Sequence, residues 1–366
     1  MKFSIVRESI LNPLQSIIGV VERRQTQPVL SNLLLKVTDQ GIELTATDNE
    51  IEMVAKIGIT AEAFGEITVP AKKFFDICKS LPDETIINVD LQQDKLRVRA
   101  AKSRFILSTL PATEFPNVEN ISIEHELVVQ QQEFKKMIEQ THFAVAQQDV
   151  RYFLNGLLLE FTPDCLRAVA TDGHRMALAE IDLRISINKK VQAIVPRKAV
   201  QELLRLLENN EDEVRLQICK NHLRVIFPTL IFTTKLIDGK FPDYNNVIPK
   251  MTSSTLIVDR LVLKQALTRA AILSNEKYKG VRIQLDSGKM LITSHNPEQD
   301  EAEEEISVEY NAAPLNIGFN VVYMLDVLNA IAGDRILINL ADGIGSSLVR
   351  DLDSEKVKYV IMPMRI

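Results

Sequence analysis

Apolar residues along the chain recur at two spacings, and the switching between them outlines the fold. Positions 7–24 put Ile10, Leu11, Leu14, Ile17 and Ile18 on one helical face. Two strand-type runs follow, 32–37 and 42–47, with Asp39-Gln40-Gly41 as the turn between them. Segments 50–59 and 66–69 continue as strands. Pro70 then opens a second helix, AKKFFDICKSL, at a first-turn position where its missing N–H costs little. Segments 85–89, 95–100 and 104–110 return to strand, and Phe115-Pro116-Asn117 closes the unit.

The same order begins again near residue 128. Phe134, Met137, Ile138, Thr141 and Val145 form an apolar helical face, and 154–161 and 166–170 are strands around Thr162-Pro163-Asp164. A helix starts at Val195-Pro196, strands cover 214–218, 222–227 and 231–236, and Phe241-Pro242-Asp243-Tyr244 closes this unit. A third pass has helices at 261–274 and 320–332, with strands at 281–285, 290–294, 336–340, 347–352 and 357–362. Thr47-Asp48 matches Thr171-Asp172 at an offset of 124, and Asn32-Leu33-Leu34 matches Asn155-Gly156-Leu157 at 123. Val69-Pro70 and Phe115-Pro116 match Val195-Pro196 and Phe241-Pro242 at 126. Phe319-Asn320-Val321 follows Val195-Pro196 by about 124. The period is far longer than the ~20–50 residues of a solenoid, so whole domains are repeated. The expected class is α+β, with three repeated domains at 1–120, 128–244 and 245–366, each two helices packed on β-sheets.

Composition narrows the function classes. Over 366 residues, 46% hydrophobic and 25% charged content is ordinary globular chemistry, and no run reaches the ~20 apolar residues of a membrane span. MKFSIVRESI lacks a signal-peptide core, so a cytoplasmic protein is expected. Cys78, Cys165 and Cys219 are odd in number and lie in apolar segments, as buried free thiols would. The net charge of -6 argues against a nucleic-acid partner only if it is evenly spread. Six expected helix windows carry 17 Lys or Arg against 10 Asp or Glu, leaving -13 for the remainder. A basic helical face could attract DNA; ordinary solubilising charge would give the same count. Lys95, Arg97, Arg99, Lys102 and Arg104 oppose the acidic run PEQDEAEEE at 297–305. These are either edges protected by charge or complementary ends of a head-to-tail assembly.

Thr171-Asp172-Gly173-His174-Arg175 has the look of a catalytic centre. Its counterpart at Asp48 sits in TATDNE, with neither His nor Arg, so the Thr-Asp turn belongs to the fold. The five histidines show no metal-binding spacing, and no phosphate-binding glycine loop is present. No cofactor or metal is expected. The alternative is a metal-dependent nucleic-acid-processing enzyme using Asp172 and His174. The apolar C-terminal segment 359–366, with two Met, is either a last core strand or the wall of an adaptable pocket.

Met1-Lys2-Phe3, TATD (45–48), VPAKKFFDIC (69–78), QDVRYFLNGL (148–157), ATDGHR (170–175), DGKFPDY (238–244), AAILSNEK (270–277) and VIMPMRI (360–366) together resemble the bacterial DNA polymerase III beta subunits, the sliding clamps, over the whole chain. The resemblance implies a head-to-tail homodimeric ring around double-stranded DNA, non-catalytic and insensitive to sequence. It confers processivity on the polymerase III catalytic subunit and serves the clamp loader, other DNA polymerases and repair proteins through short peptide motifs. DNA-contacting positions implied are Arg24, Gln148, Arg151, Tyr152 and Phe153. A peptide pocket is implied at Leu154, Thr171, Gly173, His174, Arg175, Met176, Pro242 and Val247. It extends to Asn320, Tyr323, Ser346, Val360, Met362, Pro363, Met364 and Arg365. Implied interface positions are Lys73, Arg104, Ile272, Leu273, Glu298, Glu301 and Glu304. The chain departs from the family pattern at Phe153, Met176 and Asn246, where tyrosine, leucine and arginine are common.

Overall fold

The computed structural model describes residues 1–21, 27–116, 121–249, 254–341 and 345–365. Within them run 24 strands and six α-helices, eight strands and two helices for each expected repeat. The chain forms two compact units, one of residues 1–132 and 201–236, the other of 133–200 and 237–366.

In the first unit an eight-stranded antiparallel sheet runs β5 (Gly65–Pro70), β2 (Asn32–Thr38), β3 (Gly41–Thr47), β4 (Ile51–Ile57), β16 (Leu230–Lys235), β15 (His222–Ile226), β14 (Glu213–Cys219), β9 (Ile123–Gln130). A four-stranded sheet runs β1 (Lys2–Val6), β6 (Ile86–Gln92), β7 (Lys95–Ala100), β8 (Ser103–Ser108). Helices α1 (Arg7–Ile17) and α2 (Ala71–Ser80) pack on each other, and α1 lies against β4 with Ile10, Leu14 and Ile17 buried. Removing such side chains from water stabilises by roughly 1.5–3 kcal/mol each.

The second unit has the same plan. Its eight-stranded sheet runs β13 (Val191–Pro196), β10 (Gly156–Phe161), β11 (Cys165–Thr171), β12 (Arg175–Asp182), β24 (Val357–Ile361), β23 (Ser347–Asp351), β22 (Arg335–Leu340), β17 (Ser254–Asp259). The four-stranded sheet runs β20 (Glu301–Ser307), β19 (Lys289–His295), β18 (Gly280–Asp286), β21 (Leu315–Asn320). Helices α5 (Arg260–Ile272) and α6 (Val321–Ala330) pack together. Helices α3 (Gln131–Glu139) and α4 (Arg197–Leu206) carry the chain between the units.

Three expectations change. The helical face expected from Phe134 to Val145 is helix only as far as Glu139, because the buried Thr141 hydroxyl bonds back to the Met137 carbonyl at 2.8 Å and a 3-10 turn follows. The acidic run is half strand: in β20 the exposed Glu301, Glu303 and Glu305 alternate with half-buried Ala302 and Glu304. Of the cysteines, Cys165 is only half-buried, whereas burial pushes the Cys78 thiol up to about 12.

Candidate functional site

The Thr-Asp turn appears twice with the same wiring. Between β11 and β12, Thr171 Oγ1 donates to the Arg175 carbonyl at 2.7 Å and accepts the Gly173 N–H at 3.1 Å. Asp172 Oδ1 accepts the N–H groups of His174 and Arg175 at 2.9 and 3.0 Å. Between β3 and β4, Thr47 Oγ1 donates to the Ile51 carbonyl at 2.8 Å and accepts the Asn49 N–H at 3.1 Å. Asp48 Oδ1 accepts the N–H groups of Glu50 and Ile51 at 2.9 and 2.7 Å. The third residue is left-handed in both, Gly173 at φ 88° and Asn49 at φ 76°, a conformation open to glycine and tolerated by asparagine. Asp172 is therefore a turn cap, an acceptor already committed to backbone donors.

Registers extend the match. Met176 pairs with Val360 as Glu52 pairs with Thr233, and the Met362 N–H donates to the His174 carbonyl at 2.9 Å as the Lys235 N–H does to Glu50. Gly156 faces Pro196 where Asn32 faces Pro70, so Asn32 aligns with Gly156 rather than Asn155.

In the second unit this frame holds an apolar groove of about 260 Å³. Leu154, Met176 and Val360, all buried, form its floor. Val247 and Met362, 37% and 38% exposed, stand at its rim with Phe153 and Pro242. Thr171, Gly173 and Arg175 line one side, and Arg151, Phe153, Asp243 and Tyr244, outside the implied pocket set, line the groove as well. The groove has the concave, apolar character of a ligand site with a few polar groups at its edge.

His174, Asn320, Tyr323, Ser346, Pro363, Met364 and Arg365 lie outside the groove lining. Asn320 caps α6, accepting the N–H groups of Val322 and Tyr323. Arg175 links this second cluster to the groove. Its guanidinium stacks 4.3 Å from the Tyr323 ring centroid and 5.2 Å from that of Phe143. Its Nε, Nη1 and Nη2 donate to Asp172 (3.1 Å), Asp326 (2.5 Å) and the Phe143 carbonyl (2.8 Å). Met364 N–H bonds to the Gly318 carbonyl at 2.7 Å.

The loop ahead of β10 holds the remaining aromatic and cationic residues. Asn155 ties it down, donating to the Asp149 carbonyl and accepting the Asp149 N–H, both at 2.9 Å. Gln148, Val150, Arg151 and Tyr152 are exposed, Val150 at 95%, a residue the sequence did not single out. The Arg151 guanidinium lies 2.8 Å from where a Cβ on Gly173 would stand, so the loop and the groove wall share this contact. Arg24 lies outside the described residues.

The charged ends sit on sheet edges. Arg104 is on β8, an outer strand of its sheet, and Lys73 is exposed on α2. Glu301 and Glu304 are on β20, also an outer strand, and Glu298 is exposed in the preceding turn. Ile272 ends α5 at 76% exposure beside half-buried Leu273. Glu304 accepts from Arg269 Nε and Nη2 at 2.7 and 2.5 Å, so it is already paired within the chain.

Three family models cover the chain: DNA polymerase III beta subunit N-terminal domain at 1–119, central domain at 128–243 and C-terminal domain at 245–365. The chain belongs to the DNA polymerase III beta subunit family. The beta sliding clamp of Pseudomonas aeruginosa is 49% identical over 367 residues, with all of both chains covered, and that of Escherichia coli K12 is 47% identical with the same coverage. A crystal structure of the Pseudomonas aeruginosa subunit, 49% identical, superposes over all of both chains with a TM-score of 0.98. Another from that organism, bound to griselimycin, gives 0.96 at 49% identity and full coverage of both chains.

As a member of the sliding-clamp family the chain is a non-catalytic subunit of DNA replication. The enzymatic alternative at Asp172 and His174 is thereby set aside, in keeping with the carboxylate's place in the turn. Among the described residues, no group of three His, Cys, Asp or Glu is placed to hold a metal, and no helix is long and apolar enough to cross a membrane. Sequence reasoning missed Tyr244 as a groove residue. In the sequence FPDY reads as the turn that closes a repeat, and its contact with Glu160 lies 84 positions away.

Proposed function

We propose that this sliding clamp closes head to tail with a second copy around duplex DNA, and that the groove beside Met362 is where its partners dock. The carrying observation is the groove itself, with a buried apolar floor and a solvent-exposed apolar rim of Val247 and Met362. Two apolar anchors of a partner peptide, such as Leu and Phe, contribute roughly 1.5–3 kcal/mol each. Micromolar affinity needs about 8 kcal/mol, so rim hydrogen bonds supply the rest. Arg175, tied to Asp172 and Asp326, acts chiefly as a wall. The polymerase III catalytic subunit, the clamp loader, other DNA polymerases and repair proteins are the partners of this reading, in the bacterial cytoplasm.

Arg24, Gln148, Arg151, Tyr152 and Phe153 are assigned to DNA, through phosphate contacts that carry no sequence information. Lys73, Arg104, Ile272, Leu273, Glu298, Glu301 and Glu304 are assigned to the subunit interface. Support comes from two outer strands of opposite charge, each with an unpaired edge among the described residues, and from the exposure of Ile272. The three-domain division at 1–120, 128–244 and 245–366 belongs to the same reading. The test is retention: a topological clamp stays on circular DNA and slides off once the circle is cut. Equal retention on both would sink the proposal.

A further inference from the structure

Strand β10 is buried at every position, yet it contains Glu160, which is 1% exposed. A buried carboxylate is costly unless fully paired. Here Oε1 accepts from the Tyr244 hydroxyl at 2.7 Å and from Arg167 Nη1 at 2.9 Å, while Oε2 accepts from Gln192 at 2.8 Å and Lys190 at 3.0 Å. Arg167 also donates to the Tyr244 hydroxyl at 2.8 Å and to Glu180 at 2.8 Å. Burial pushes the Glu160 carboxyl up, and the bonds from Tyr244, Gln192 and Lys190 more than offset this, leaving it lowered.

The first repeat shows what the fold alone requires. The cross-strand ladder Glu160, Arg167, Glu180 has its counterpart in Lys36, Glu43, Lys56, at the same registers with every charge reversed. There Lys36 and Lys56 are exposed, and the Lys56–Glu43 pair is a loose 3.6 Å. The ladder thus serves both sheets, whereas its first position is exposed as Lys36 and buried as Glu160, which Tyr244 covers. Tyr244 in turn packs with Leu154, Met176, Phe241 and Val360 and lines the docking groove.

We infer that the Glu160–Arg167 pair is a positioning device for partner docking: it holds the Tyr244 hydroxyl from beneath and so fixes the groove wall from Pro242 to Val247. This rests on the docking reading above. A wall released from its anchor spends only part of its time in the binding-competent position, and apparent affinity falls by that fraction.

The test uses the full-length dimer and a fluorescein-labelled hexapeptide with adjacent Leu and Phe. Tyr244→Phe keeps the ring in the core and deletes only the hydroxyl; Glu160→Gln is the second variant. Each is expected to weaken the peptide about tenfold, to speed amide exchange at Asn245, Asn246 and Val247, and to leave dimerisation unchanged. The double variant should be little worse than either single one, because both remove one anchor. A folded Tyr244→Phe or Glu160→Gln chain with wild-type peptide affinity and wild-type exchange at 245–247 overturns the inference. Should the wild-type chain fail to bind the peptide, the docking reading itself fails instead.

Discussion

The Met362 amide donates to the His174 carbonyl at 2.9 Å, and this bond carries the chain from the last core strand to the rim of the groove. Met362 is thereby held at the mouth by its backbone while its side chain stays 38% exposed. Met362→Asp leaves that bond in place and puts a charge where an apolar anchor must seat. Loss of one anchor's burial predicts peptide binding weaker by roughly 10- to 100-fold, with the dimer intact in ultracentrifugation. Unchanged affinity by fluorescence anisotropy would exclude this groove as the docking site.

The first unit builds the same frame, with Lys235 N–H on the Glu50 carbonyl, and encloses a depression of about 370 Å³. Its side chains differ at the positions that matter. Glu52, Thr233 and Lys235 occupy the places of Met176, Val360 and Met362. An apolar anchor entering there would desolvate polar groups without replacing their hydrogen bonds. Titration calorimetry should therefore give one peptide per chain, and Met362→Asp should weaken that single event without uncovering another. A second binding event in that variant would contradict the assignment of specificity to these three side chains.

Much of this frame was legible in the chain, because turn chemistry and alternation are local: the Thr-Asp offset of 124 identified a turn that recurs bond for bond. The misread parts depend on tertiary context. Strand β20 is masked in the sequence because its inward positions are Ala302, Glu304 and only then Ile306, and the pairing of Glu304 with Arg269 on α5 replaces an apolar contact that periodicity would detect. The apolar face from Phe134 to Val145 runs past the end of α3 because the buried Thr141 hydroxyl, rather than a Gly or Pro, marks that end. Tyr244 reads in the sequence as punctuation closing a repeat, since nothing local reveals that Glu160, 84 positions away, lies beneath it.

Arg175 braces two walls at once. It is mostly buried, stacked on Tyr323 and Phe143, with its Asp172 and Asp326 partners 18% and 32% exposed at the side chain. Arg175→Met retains apolar bulk and deletes the donors, leaving two carboxylates and a carbonyl short of a partner. Because Asp326 is partly solvated, the cost should be about 2 kcal/mol, below that of a fully buried pair. Urea unfolding measures it, and a midpoint equal to wild type would mean that apolar bulk alone holds the wall.

Ile272 is the most exposed large hydrophobic residue on α5, at 76%, and it lies beside Leu273 at the end of the helix. Burial in an interface would give each roughly 1.5–3 kcal/mol. Ile272→Ala with Leu273→Ala should raise the dimer dissociation constant at least about tenfold. Sedimentation at submicromolar concentration should then show monomer, while the melting of an isolated chain barely moves. An undiminished dimer would move the interface elsewhere.

Arg151 faces two ways. Its Nε and Nη2 grip Asp149 at 3.0 and 2.9 Å, and its guanidinium also rests on Gly173 at the groove. The hydrogen bonds from the Arg151 side chain and N–H hold the Asp149 carboxyl down to about 2. A depressed carboxylate contributes its stabilisation above its unfolded value, near 3.9, and loses it as pH falls from there through about 2. Between pH 5 and 8 this grip is constant, so it adds no pH dependence to DNA binding. Asp149→Asn removes the competing anion and releases the guanidinium toward phosphate. Duplex affinity at low salt should rise roughly two- to fivefold, and the logarithmic salt slope should steepen by up to about one unit. Arg151→Ala should move both quantities the other way. If neither variant changes the anisotropy titration, Arg151 belongs to the groove wall alone, and the DNA-facing surface must be sought on other residues.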